Sequence, residues 1–398
     1  MTVPAQRVRR RPSAPGHVLP LLLVAALLAP VVLLFTQTHR LTDEDRDLAV
    51  RERLGVEYLR ALGPVTEALV DAQSAAVAGR PGSRETLDRA VETAAGVDAR
   101  IGDELRSHER WAGLRAKLES LPDRALTDPE AAFAAYGEVT DLLLALHRKV
   151  RESSGLIRDP DPDSFFLQDG IGRDLPTAMV AAGRLADLTS LAPRRPAAER
   201  PRTEAQLAEL RVSALGAATG LGADLLAAVD STESTDLGTN VLTPLDTYQR
   251  SVEALAALSA PTGRAGQTEP GQVAAARLNA QAAAKQLQPV ILGELDVLLK
   301  ERVDSYDRDR WLAIGAAAVA VLLVLVLAGV LIAAFRRAYR RAAEERRARR
   351  EDSGALPEPS GWQPPVERAI PADDRRLLQP VGPAQDGSER WGPFDAAR

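Results

Sequence analysis

Between residues 41 and 308 the apolar positions recur every three or four residues and almost never alternate one by one, the mark of helices with one buried stripe. Leu54, Tyr58, Leu62, Val65 and Leu69 form one such stripe, and Phe133, Tyr136, Thr140, Leu143, Leu146 and Val150 form another. Leu210, Ala214, Ala217, Leu221 and Leu225 follow, then Leu245, Tyr248, Val252 and Leu255, and last Leu287, Ile291, Leu295 and Leu298. Breakers fall between the stripes: Gly79-Arg80-Pro81-Gly82, Leu121-Pro122, Asp159 to Pro162, the three prolines from Ala192 to Pro201, and Pro261 to Gly271. The pattern predicts helices over 41–78, 83–120, 128–155, 163–191, 202–234, 239–260 and 271–308. The fold class expected is all-α, an elongated antiparallel helical bundle, since a forty-residue helix reaches about 60 Å. Pro289 puts a bend in the last helix, either fixed by packing or hinged.

Two runs break this rhythm by carrying no charge at all. Val18 to Phe35 is 18 residues long, about 27 Å of helix, and Trp311 to Phe335 is 25 residues long. Both are read as transmembrane helices. After the first comes TQTHRLTDEDR, which offers no small-residue cleavage site, so an uncleaved anchor is expected rather than a signal peptide. Arg7, Arg9, Arg10 and Arg11 precede the first run and eight Arg follow the second within 336–350, which places both termini in the cytoplasm. The expected plan is a cytoplasmic N-terminus (1–17), a span (18–36), an extracytoplasmic bundle (37–310), a span (311–335), a basic helix (336–352) and a disordered cytoplasmic tail (353–398).

Charge and composition narrow the chemistry. The chain carries a net charge of -5. Residues 1–16 hold +4 and residues 336–398 hold +2, which leaves -11 for the remainder. A region that acidic is not expected to bind nucleic acid. No Cys occurs, so disulfides and thiol chemistry are excluded, and His17, His39, His108 and His147 are scattered without metal-ligand spacing. No nucleophile elbow, zinc-protease helix or phosphate loop is present. No catalytic residue, metal or cofactor is expected, and the chain is not read as an enzyme.

Residues 154–169, SGLIRDPDPDSFFLQD, are the most distinctive stretch. Asp161 suits a helix N-cap, Pro162 the first helical position, and Asp163 the positive helix end. Phe165 and Phe166 would then anchor the new helix in the bundle. A second reading has Asp159, Asp163, Phe165, Phe166 and Asp169 lining a ligand pocket. Asp159, Asp161 and Asp163 have the spacing of the first three ligands of a calcium loop. Ser164 stands where that loop needs Gly, Gly170 where it needs Glu, and two prolines interleave, so calcium is not expected.

This stretch resembles the LxxDPDxDSYYLMD segment in the external helical sensor domains of chemoreceptor-like proteins, sensor kinases and diguanylate cyclases. Residues 52–62, ERLGVEYLRAL, are similar to the ERxGVxYLxPL segment that follows the first span in the same group. Here Phe165-Phe166 replaces the Tyr pair and Gln168 the usual Met. The resemblance covers roughly residues 17–335. It implies an external domain that binds an unidentified small molecule, homodimerisation, and a signal carried inward. Kinase or cyclase outputs follow such domains, whereas the 63 residues after Phe335 contain no His and are too few for a catalytic domain. A separate cytoplasmic signalling protein is therefore the expected partner. Arg336, Arg337, Arg340 and Arg341 face membrane lipids in this plan, as a topology signal or a lipid-responsive switch. The alternative function is a non-sensing structural or assembly stalk of the envelope.

Overall fold

The computed structural model describes residues 18–80, 84–121, 128–232, 235–260 and 269–352. Every regular element among them is helical: α1 (Val18–Val77), α2 (Arg84–Ile101), α3 (His108–Glu119), α4 (Pro129–Ser154), α5 (Pro162–Asp169), α6 (Leu175–Leu191), α7 (Arg200–Ser231), α8 (Thr235–Leu258) and α9 (Pro270–Asp352). A π-helical turn, Gly170–Asp174, joins α5 to α6, and two short 3-10 turns lead into α7. The all-α expectation holds. The chain divides into one unit over residues 1–331 and a second over 332–398. The described part of the second unit is the last stretch of α9, where Arg336, Arg337, Arg340 and Arg341 are all exposed. The expected disordered tail (353–398) and residues 1–17 lie outside the described residues.

The predicted stripes become the core. Tyr58, Leu62, Leu143, Leu146, Leu221, Leu225, Leu287 and Leu295 are fully buried in one continuous apolar cluster. Helix α1 packs on α2, α4 and α6, and α7 packs on α5, α6 and α8. Ion pairs fix the sense of α1 against α9. Arg46 meets Asp307, Arg53 meets Asp296, Lys285 meets Glu67 and Arg277 meets Asp71. As one number rises the other falls by nearly the same amount, so the two helices run antiparallel. Helix ends follow the local signals: Asp128 caps α4 by accepting from the Glu130 N–H at 3.0 Å, and Pro129 takes the first helical position.

One predicted helix divides. The stripe over 83–120 was expected to form a single helix, and the chain instead turns at residues 102–107 between α2 and α3. The cause is a buried carboxylate. Asp98 accepts the Tyr58 hydroxyl at 2.7 Å and lies 2.7 Å from His108 Nδ1, and the Ser107 amide bonds back to the Gly102 carbonyl. A buried carboxylate needs such partners, and a straight helix would carry His108 away from Asp98. Arg106 adopts a positive φ of 51° to make the turn.

Among the described residues two helices are long and apolar enough to cross a membrane, α7 and α9. They differ in surroundings. A third of the apolar stretch of α7 is buried within the packed unit, whereas none of that of α9 is. Trp311, Leu322, Leu323 and Leu325 in α9 are more than half exposed. The expected first span falls partly outside the description: α1 is helical from Val18, the side chains of residues 18–24 and 27 are not described, and Val32, Leu33 and Leu34 are exposed. Helix α1 continues through Pro30 and Pro64, and α9 through Pro289.

Candidate functional site

The segment between α4 and α5 is shaped by Gly155 and two aspartates. Gly155 ends α4 with φ +93°, and a side chain there would strike Leu48 of α1 at 2.4 Å. Gly55 on α1 makes the reciprocal approach, since a Cβ would meet Ser154 Oγ at 2.4 Å and Leu156 at 2.9 Å. Gly55 thus admits the two neighbours of Gly155, while Gly155 admits Leu48 and Glu52, so α1 around residues 48–55 packs closely against 154–156. Asp159 then closes a turn by accepting from the Asp161 N–H at 2.9 Å. Asp161 takes the N-cap position of α5 with extended φ and ψ, as expected, and Pro162 follows. Its carboxylate makes no capping bond.

That carboxylate turns to α9 instead. Arg302 Nη2 lies 2.6 Å from Asp161 Oδ2 and donates to Ser164 Oγ at 2.5 Å. Arg302 Nη1 donates to Asp159 Oδ1 at 2.8 Å and lies 3.4 Å from Glu52 Oε2 of α1. One guanidinium therefore ties α1, the turn before α5, and α9 together. Gln168, the departure from the Met of the resembling segment, donates its amide to Asp159 Oδ2. A Met could not make this bond. Arg302 occupies the ground between Asp159 and Asp161, so a guanidinium supplies the positive charge those carboxylates require. Among the described residues no group of three or more His, Asp or Glu is arranged to hold a metal ion.

Glu52 is the unusual member. Its side chain is 1% exposed, and Oε1 has no hydrogen-bond partner. Burial, reinforced by the nearby Asp159 charge, pushes its carboxyl up to about 8, with Arg302 opposing. At neutral pH the group is a carboxylic acid. A cavity of about 10 Å³, room for one water, lies against Glu52, Pro160, Arg302 and Tyr306.

The five residues expected to line one pocket go to different places. Asp159 belongs to the Arg302 clamp, and Asp163 stays in the first turn of α5, accepting from the Ser164 N–H at 2.7 Å. Phe165 and Phe166 are half-buried in an edge-to-face pair 5.5 Å apart, with Phe166 against the core. Asp169 joins a second charged cluster, where it pairs with Arg151 of α4 and with Arg173 at 2.5 Å. Arg173 also holds Asp174 at 2.7 Å and Asp224 of α7 at 3.5 Å. Burial, with Asp174 and Asp169 nearby, raises the Asp224 carboxyl to about 7. Asp169 and Arg173 stand four residues apart across the π turn at 170–174, close enough to pair, and Asp174 follows Arg173 directly.

No protein-family model, no curated protein and no solved structure matches this chain. The site therefore rests on its own geometry.

Asp159, Asp161 and Glu52 face one Arg302, and the pH at which Glu52 ionises decides whether the guanidinium faces two carboxylates or three. Sequence reasoning missed Glu52 and Arg302 as partners. The signal was present in Glu52 opening the 52–62 stretch and in the surplus of acids in DPDPD, which calls for a cation from elsewhere in the chain.

Proposed function

We propose that this chain is a two-span membrane protein whose residues 37–310 lie outside the cytoplasm and sense an external signal, which α1 and α9 carry to a separate cytoplasmic partner. One observation carries the reading. The two helices that contain the apolar runs are the two that Arg302 joins, through the same segment that carries the sensor-like sequence pattern. A signal that changes the clamp changes the relation between the two helices leading to the membrane. Such relay requires two arrangements with different affinities for the stimulus. The clamp offers a discrete bond set to make or break.

In this reading Asp159 and Asp169 act as holders of Arg302 and of the Arg151–Arg173 pair, not as contacts to the ligand. Asp163, Phe165 and Phe166 set the start of α5 in the core. Arg336, Arg337, Arg340 and Arg341 meet anionic head groups on the cytoplasmic side, each contributing about 1 kcal/mol near the surface.

The test is photo-crosslinking in cells from positions within 336–398, in the wild-type chain and in Arg302→Met. Sensing predicts a cytoplasmic signalling protein among the crosslinked species, at a level that the substitution shifts. Recovery of envelope-assembly proteins alone, unchanged by Arg302→Met, would favour the alternative of a structural stalk.

A further inference from the structure

Residues 192–202 join α6 to α7 through two short 3-10 turns and the first turn of α7, and Pro193, Pro196 and Pro201 stiffen them. Positions 194–202 hold four Arg and one Glu, whereas residues 17–335 as a whole carry -11. A cavity of about 480 Å³ opens between this basic segment and the start of α4, the size of a small-molecule site. Leu191, part of its wall, packs with Ala76, Val77 and Ala132 at the end of α1. Val77 lies about 38 Å along α1 from Glu52, so the cavity is remote from the Arg302 clamp.

The polar groups of this cavity divide into engaged and free. Arg195 is engaged: Nε and Nη2 donate to the two carboxylate oxygens of Glu130 at 2.7 and 2.8 Å. Its Nη1 donates to Gln206 Oε1 at 2.8 Å and to Thr203 Oγ1 at 3.3 Å. The fork neutralises Glu130, and it fixes the Gln206 amide with its NH2 end left over. Asp128 is taken up as the cap of α4, and Glu199 lies near enough to Arg195 to favour its charge. Arg194 and Arg202 line the same cavity, are exposed, and make no ion pair or side-chain hydrogen bond among the described residues. Two guanidinium groups and one amide therefore remain as donors, beside an apolar wall of Leu191, Pro129 and Pro196.

We propose that this cavity binds a small organic dianion, two carboxylates joined by a short carbon body. The planar fork of a guanidinium matches a carboxylate, and the two free forks stand on different elements, Arg194 on the turn after α6 and Arg202 on α7. Two separate acidic groups answer them. The carbon body between those groups meets the apolar wall, whereas a lone phosphate would leave most of the volume to water. A cationic ligand finds the acids already taken. The prolines hold the arginine-bearing turns in place before the ligand arrives, which lowers the cost of ordering them. This site is distinct from the 154–169 segment and needs neither the topology nor the relay proposed above.

The test is calorimetric titration of succinate into the purified full-length protein in detergent, at an ionic strength of about 0.1 M. Binding should saturate with a Kd below about 1 mM. Arg194→Gln and Arg202→Gln should each weaken it at least about tenfold, the loss expected of a hydrogen bond between charged groups. Arg110→Gln, at an exposed position on α3 outside the cavity, should leave it unchanged. Positions 194 and 202 are exposed, so the melting temperatures of both variants without succinate should stay near that of wild type. Succinamic acid, of the same shape with one charge fewer, should bind at least about tenfold more weakly. Binding is read on isolated protein, so a failure of outward placement or of relay does not touch this result, and a failure here does not touch them. No saturable binding of succinate, unchanged affinity in the two arginine variants, succinamic acid equal to succinate, or inorganic phosphate bound as tightly as succinate would each overturn the proposal.

Discussion

Arg302 Nη1 lies 3.4 Å from Glu52 Oε2, and this pair joins α9 to α1 across 250 residues of sequence. Arg302 also serves the exposed Asp161 and the buried Asp159, so its loss leaves the Asp159 carboxylate buried without a cation. Arg302→Met should destabilise the external unit by about 3–5 kcal/mol, as breaking a buried ion pair does. Chemical denaturation of the purified full-length protein in detergent measures this. Arg46→Met, which removes a more exposed pair with Asp307, should cost far less than Arg302→Met.

The Glu52 carboxyl also gives the fold a pH dependence of known sign. Its ordinary value of 4.5 is raised to about 8 by burial. Between those two values the unfolded chain has released a proton that the folded chain keeps, so stability falls as pH rises from about 4.5 through 8. Asp187, raised to about 6, and Asp224, raised to about 7, act in the same direction at lower pH. Melting temperature should therefore fall from pH 6 to pH 9. Glu52→Gln should flatten the limb above pH 7, and an unchanged limb in that variant would exclude Glu52 as its source.

His147 acts on the other side. Buried against the Thr66 hydroxyl at 3.2 Å, its imidazole is pulled down from 6.5 to about 3 by burial, with the Arg151 charge adding to the effect. The unfolded chain binds a proton below pH 6.5 that the folded chain refuses, so stability falls as pH drops from about 6.5 toward 3. His147→Gln keeps a partner for Thr66 and should reduce the loss of melting temperature between pH 6 and pH 4. The stability maximum of the wild type then sits in mildly acidic solution.

The glycines at the paired segments make a contrast with an ordinary helical glycine. Gly155→Ala meets both a positive φ of 93° and the Leu48 side chain, and Gly55→Val meets Ser154 and Leu156. Each should cost more than about 1 kcal/mol. Gly96→Ala, on α2 with open space around it, should stabilise by about 0.5–1 kcal/mol. Denaturation midpoints of the three variants rank these outcomes.

The helices were legible because their apolar stripes are long and their breakers strong. The turns at Gly155 and around Pro160 fell where glycine and proline placed them. The break at 102–107 was not legible, because the stripe of α2 and α3 keeps helical spacing across it. What divides the helix is the need of Asp98 for Tyr58 and His108, and Tyr58 is forty residues away. The π turn escaped for a related reason, since Leu167, Ile171 and Leu175 keep a helical step of four across it. The acids of the DPDPD segment could be read as caps or as ligand contacts. Their actual partner, Arg302, lies more than 130 residues away, and no local pattern points to it.

Placement of the packed unit on the far side of the membrane from the tail is the claim on which relay depends. Single Cys substitutions at Arg148, exposed on α4, and at Glu358 in the tail should be treated with an impermeant maleimide in intact cells and again after lysis. The account predicts full labelling of position 148 in intact cells and labelling of position 358 only after lysis. Position 148 protected until lysis, or position 358 reactive in intact cells, would contradict it.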